Sequence, residues 1–133
     1  SDRRIKKQCN FDEMWRVFTN HSNPTAANFL ELGYRTARKY NAGFSAVTQK
    51  RSDTDNTLQG QAIAACSDTK FIMRQGDLTD YVAKNPNAFN PLQQEVIHGF
   101  GEARMQGFSN LMIQFGKTYT FHRYFSDPYS KVL

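Results

Sequence analysis

Three short apolar stretches of the chain end in side chains able to work on phosphate. Phe11 is followed by Asp12 and Glu13, Val47 by Thr48 and Gln49, and Met73 by Arg74 and Gln75. A carboxylate pair, an amide and a guanidinium are the parts needed around a metal-bound triphosphate. Each also has an ordinary alternative. Asp12 and Glu13 could be helix-start acids, which gain stability by facing unpaired N–H groups and the positive end of a helix dipole. Polar residues after a strand are also common loop starts. Recurrence on successive strands carries the nucleotide reading, because ligands of open parallel sheets bind beyond the carboxyl ends of the strands.

The elements that must present these groups follow from spacing. After the acidic pair, Asn23 and Pro24 read as a cap and first helical residue. The predicted helix carries Ala26, Phe29, Leu30, Gly33, Ala37 and Tyr40 on one apolar face, which should pack on a sheet, and Asn41 and Gly43 stop it. Phe44 to Gln49 reads as a strand buried on both sides, Leu58 to Cys66 as an alanine-rich helix, and Thr69 to Gln75 as a further strand. Strand, helix, strand spacing implies parallel pairing with right-handed crossovers. Further on, Gly76-Asp77 opens a short helix through Val82, and Asn85-Pro86-Asn87 is a turn. Asn90-Pro91 starts a helix with Leu92, Val96, Ile97 and Phe100 on one face. Leu111, Ile113 and Phe115, then Gly116-Lys117, then Tyr119, Phe121, Arg123 and Phe125, alternate around a two-residue turn, the pattern of a hairpin.

A chain of 133 residues fits one domain with its own core. Cys9 and Cys66 are far apart and lack zinc-ligand spacing, so a reduced, cytosolic setting is the simplest reading. No stretch has the length and apolarity of a membrane span or the pattern of a signal peptide. The formal charge of +5 and pI near 9.4 permit nucleic acid contact, through clusters at Arg3 to Lys7 and Arg35 to Lys39. The first could equally be a strand lead-in; the second suits the negative end of a helix dipole.

Other motifs are excluded. Gly116-Lys117-Thr118 has the ending of a phosphate-binding loop, but the first glycine of that motif would fall at Leu111, among strand residues. His21, His98 and His122 share no spacing, and no Ser or Cys lies in a nucleophile elbow. Phe121, Tyr124 and Phe125 could stack on bases, yet with eleven Phe in the chain core packing is the simpler use.

Taken in order, the motifs resemble the TraC-type conjugative-transfer, type IV secretion ATPases, relatives of the HerA and FtsK hexameric motors. Phe11 to Arg16 resembles the Walker B segment, Leu32 to Tyr40 the helix after it, and Ala46 to Gln49 a strand ending in glutamine. Cys66 to Lys70 leading to Met73-Arg74-Gln75, and Arg123 to Ser130, resemble later motifs. The resemblance implies an α/β, RecA-like (P-loop NTPase) partial domain over residues 1–133, with a mostly parallel sheet flanked by helices and a C-terminal antiparallel hairpin. It implies ATP and Mg2+ as cofactors of the parent protein. Asp12 would hold the metal through water, Glu13 would polarise the attacking water, and Gln49 would sense the terminal phosphate. Gln75 would contact nucleotide, and Arg74 and Arg123 would stabilise charge, toward a neighbouring subunit's nucleotide if they act as arginine fingers. The parent would be a homo-oligomer, expected as a hexamer, in the bacterial cytoplasm and peripheral at the inner membrane. Its partners would be inner-membrane type IV secretion components, and its substrate DNA or protein. No Walker A loop occurs in the chain, whereas the family carries one ahead of Walker B, so a C-terminal portion without hydrolysis of its own is expected. A nucleic-acid-binding module and a non-catalytic interaction domain are the rival classes.

Overall fold

Lys7–Phe11 forms strand β1 although its sequence is mostly polar, because Lys7, Cys9 and Phe11 are half-buried while Gln8 and Asn10 alternate outward. The outward Gln8 amide donates to Ser45 Oγ (2.8 Å) on the neighbouring strand and to Asn10 Oδ1 (3.2 Å). In this computed structural model residues 3–19 and 24–128 are described, and the chain divides into two compact units, Ser1–Ser67 and Asp68–Leu133.

In the first unit β1 pairs in parallel with β2 (Ala42–Ala46), from Lys7 opposite Ala42 to Phe11 opposite Ala46. Helices α1 (Trp15–Thr19) and α2 (Pro24–Thr36) and a 3-10 turn (Ala37–Tyr40) make the crossover. Pro24 is the first residue of α2 as expected; the cap assigned to Asn23 lies outside the described residues, as does His21. Asn41, at φ 53°, ends the 3-10 turn in the left-handed conformation that lets its N–H reach Arg38 O.

Helix α2 packs on the strands through the absence of a side chain at Gly33, where a Cβ would stand 3.0 Å from the Phe44 ring. Phe44 in turn stacks on Phe11 (5.6 Å between centroids) and meets Tyr34 (5.3 Å). The core is Met14, Phe18, Ala27, Leu30 and Ile63, the last from α4 (Leu58–Cys66), which Thr57 caps by accepting from the Gly60 N–H. Helix α3 (Ser52–Asp55) precedes it. Two expectations need correction. Phe29, placed on the inner face of α2, is 68% exposed, and the buried positions are Ala27 and Leu30. Leu30 and Gly33 of the predicted stripe do face inward, joined by Ala27 and Tyr34. The stretch expected as a doubly buried strand ends at Ala46, with Ser45 and Val47 exposed.

In the second unit, strands β3 (Thr69–Ile72), β4 (Ser109–Phe115) and β5 (Thr118–Tyr124) form an antiparallel sheet in that order. Between β3 and β4 lie α5 (Leu78–Lys84), α6 (Pro91–His98) and α7 (Ala103–Gln106). The predicted turn at Gly116-Lys117 joins β4 to β5, with Gly116 at φ 59°. Asn90 caps α6 in a full capping box with Gln93. Ile72, Leu78, Tyr81, Phe89, Ile97, Phe100 and Met112 make the core.

The sheet corrects the topology expected for Thr69 to Gln75. Its strand portion is four residues long and pairs antiparallel with β4, Ile72 opposite Met112, rather than parallel to a preceding strand. Crossover spacing permits parallel pairing, but a strand from later in the chain supplies the ladder here. The buried residue of β4 lies between the alternating Leu111, Ile113 and Phe115 that marked the hairpin. Met112 is 0% exposed and Phe115 is 65% exposed, because Leu-Met-Ile is apolar at both parities and α5 and α6 cover the Met112 side. Leu92 likewise faces outward on α6, where Gln93 is buried to complete the cap.

Candidate functional site

The carboxyl ends of β1 and β2 are tied together beyond the strand pair. The Val47 N–H donates to Phe11 O (2.8 Å) and the Met14 N–H donates to Val47 O (3.1 Å), so Asp12 and Glu13 are pushed out as a two-residue projection. Glu13 sits at φ 49°, a left-handed conformation that costs a non-glycine residue about 1–3 kcal/mol. The Asp12 Oδ1 accepts the Glu13 N–H at 2.8 Å, which fixes the turn. The pair precedes α1, and no acid lies in that helix's first turn. Asp12 Oδ1 therefore accepts from its neighbour's N–H just ahead of α1.

Glu13 Oε2 is 2.7 Å from Arg16 Nε, and the Arg16 guanidinium lies 5.6 Å from the Trp15 ring centroid. The sequence signal for this pair is the three-residue spacing of Arg16 from Glu13. Thr48 and Gln49 follow β2. Thr48 Oγ1 donates to Lys50 O (3.1 Å), the Lys50 N–H donates to Asp53 Oδ2 (3.1 Å), and Gln49 is exposed between these anchors. The parallel pair thus brings Asp12, Glu13 and Gln49 to the same ends of adjacent strands.

Arg74, Gln75 and Arg123 belong to the other unit. Arg74 and Gln75 do not close a third parallel strand, as the sequence suggested, because β3 joins the antiparallel sheet, while Arg123 lies on the predicted hairpin. Arg74 Nη1 is 3.1 Å from Glu102 Oε1, the residue preceding α7. Gln75 is half-buried, and its amide reaches Met73 O only at 3.5 Å. Arg123 stands opposite Asn110 on β4, its guanidinium 4.8 Å from the Phe108 ring centroid, and Phe108 packs on Phe125. Glu102 and Asn110 are 28 and 13 residues from the arginines they meet, and nothing local in the sequence marks either contact.

Among the described residues no group of three or more His, Cys, Asp or Glu side chains could hold a metal. Among the described residues no helix is long and apolar enough to cross a membrane. Burial pushes the Tyr34 phenol up to about 12, and its Oη has no hydrogen-bond partner.

A parallel strand pair crossed by helices, with polar groups at its carboxyl ends, and a second antiparallel sheet together have a counterpart of known structure. VirB4 of Thermoanaerobacter pseudethanolicus matches 98% of this chain with a TM-score of 0.72 and 21% identity, over 34% of the VirB4 chain. The fold is therefore that of a segment of a VirB4 protein. In sequence the chain is 35% identical over 138 aligned residues, 98% of its length, to Protein TraC of Escherichia coli (strain K12). It is a TraC-type sequence, as its motifs implied, and spans about 15% of the length of that relative. No family model matches it.

Proposed function

We propose that the chain is the Walker B-onward, C-terminal portion of a RecA-like motor domain, within a protein that hydrolyses ATP to drive pilus assembly and substrate transfer in bacterial conjugation. The observation that carries this is the β1–β2 pair, which delivers a strained, projecting carboxylate pair and an exposed glutamine from adjacent parallel strands. The likeness to TraC and to VirB4 supports the type IV secretion setting. Mg2+ keeps several waters and binds through one or two carboxylates plus substrate phosphates. Asp12, exposed and with one oxygen already engaged, suits a water-mediated hold on such an ion. Bound there, the ion would neutralise charge on the phosphates.

In this reading Glu13 orients the attacking water, held meanwhile by Arg16, and Gln49 reads the terminal phosphate. Gln75 touches nucleotide, and Arg74 and Arg123 offset transition-state charge. The parent assembles as a homo-oligomer, a hexamer by family likeness, on the cytoplasmic side of the inner membrane beside other secretion components. The 133 residues contain no Gly-Lys-Thr loop of the required spacing, and that loop supplies the main grip on phosphates. The isolated chain should accordingly show no ATP turnover in a phosphate-release assay. Robust turnover that Glu13→Gln abolishes would overturn the partial-domain reading, and absence of nucleotide binding by a chain extended upstream would favour an interaction domain instead.

A second reading has its own observation. Arg3 lies 5.7 Å and Lys39 5.9 Å from the Tyr40 ring centroid, and Lys7 Nζ donates to Tyr40 O, so the two basic clusters converge on one residue. Such a patch suits nucleic acid phosphates. Binding carried by it should weaken steeply between 50 and 200 mM salt, by roughly tenfold or more for a few phosphate contacts; affinity insensitive to salt rejects it.

A further inference from the structure

Strand β5 ends one side of the antiparallel sheet, and among the described residues it pairs with β4 alone. The opposite edge strand, β3, is four residues long and carries Lys70, features that discourage a further strand. β5 is seven residues long, holds an unbroken register from Thr118 to Tyr124, and has no proline. Nothing in its sequence except Arg123 carries a full charge at neutral pH.

The turn decides which backbone groups of β5 are spent. Gly116-Lys117 is a two-residue loop with positive φ at its first residue, so Phe115 and Thr118 flank it as a hydrogen-bonded pair. Bonded and non-bonded pairs alternate along an antiparallel ladder. Thr118, Thr120, His122 and Tyr124 therefore bond to β4, and the N–H and C=O groups of Tyr119, Phe121 and Arg123 point to the open edge. Tyr119 is anchored by the Asn90 amide, which donates to its Oη (3.2 Å), and Phe121 meets the Tyr119 ring edge-on at 5.6 Å between centroids.

We infer that this edge pairs antiparallel with the same edge of a second copy of the chain, centred on Phe121, to make one continuous sheet. The strand is complementary to itself in that register. Tyr119 of one copy stands opposite Arg123 of the other, which suits a cation–π contact, Phe121 stands opposite Phe121, and Thr120 opposite His122. The outward residues face one another, so each such pair exchanges two backbone bonds. The two Arg123 residues lie four positions apart along the seam, roughly 14 Å, which exceeds the screening length of about 10 Å at 0.1 M salt. Neighbouring registers do worse. Centring on Thr120 sets Arg123 against Lys117, two cations, and centring on His122 carries Tyr119 past the strand end, opposite Phe125. One short strand a side is a small interface and each chain carries +5, so association is weak and strengthens with salt. Nothing in this pairing depends on the nucleotide chemistry proposed above.

Sedimentation equilibrium and amide hydrogen exchange of the 133-residue chain, at about 20 µM and about 500 µM, test it. The mass should rise from monomer toward dimer. Exchange at Tyr119, Phe121 and Arg123 should slow at least about twofold at the higher concentration, with Thr118, Thr120 and His122 unchanged. Phe121→Lys and Phe121→Glu should each stay monomeric, because like charges then face one another, and their equimolar mixture should recover the dimer. Arg123→Pro removes one outward N–H and leaves the β4 ladder bonded, so it should weaken dimerisation at least about tenfold without relying on Phe121. A monomer at both concentrations overturns the proposal. A dimer whose Tyr119, Phe121 and Arg123 amides exchange unchanged puts the interface elsewhere and overturns it too, as does a mixture of folded Phe121 variants no more dimeric than its components.

Discussion

Glu13 holds a backbone conformation that its side chain disfavours, and its surroundings show why it keeps it. The bonds from Val47 to Phe11 and from Met14 to Val47 clamp the chain on both sides, and Asp12 Oδ1 takes the Glu13 N–H between them. Strain held in this way is common where a side chain must be aimed. Tyr34 is a second residue at odds with its site, a buried phenol without a partner. Its folded pKa of about 12 lies above the ordinary value of 10, so the folded state retains the proton longer than the unfolded one. Stability is then unaffected by this group below pH 10 and falls as pH rises from 10 to 12. Tyr34→Phe should flatten that alkaline loss in urea titrations at pH 9 and pH 11, with no penalty at pH 7. A variant that loses as much stability as the wild type over this interval would show that another group is responsible.

At the scale of elements, the parts with local signals were legible. Helix α4 spans Leu58–Cys66 as read, with Thr57 capping it, and the Asn90-Pro91 start and the Gly116-Lys117 turn are where the residues put them. Asn90→Ala should cost about 1 kcal/mol by removing the acceptor for the Gln93 N–H, lowering the thermal midpoint by several degrees. What local patterns could not supply is which strand pairs with which and which face is covered. Leu111, Met112 and Ile113 are all apolar, so alternation alone does not choose the buried side; α5 and α6 choose Met112. Met112→Ala should therefore destabilise by about 2–5 kcal/mol, whereas Phe115→Ala should cost under about 1 kcal/mol in the same denaturant series. Comparable losses would contradict the observed face. The candidate site divides in the same way. Asp12, Glu13 and Gln49 follow strand ends and could be found by position, while the partners Arg16, Glu102 and Asn110 arise from turns and long-range pairing.

At the scale of the molecule, each unit has its own core and its own half of the candidate chemistry: carboxylates and glutamine in the first, arginines in the second. The chain is small beside its relatives, 15% of TraC and 34% of the VirB4 chain, so the activity proposed for it belongs to a longer parent. The central claim is that Asp12 and Glu13 are the metal and water residues of that parent. Steady-state ATP hydrolysis by the full-length protein carrying Glu13→Gln tests it most directly, with nucleotide affinity measured alongside. General-base contributions are typically 10²–10⁴-fold, so kcat should fall by at least about a hundredfold while ATP binds within threefold of wild type. Hydrolysis retained within a few-fold of wild type would contradict the account.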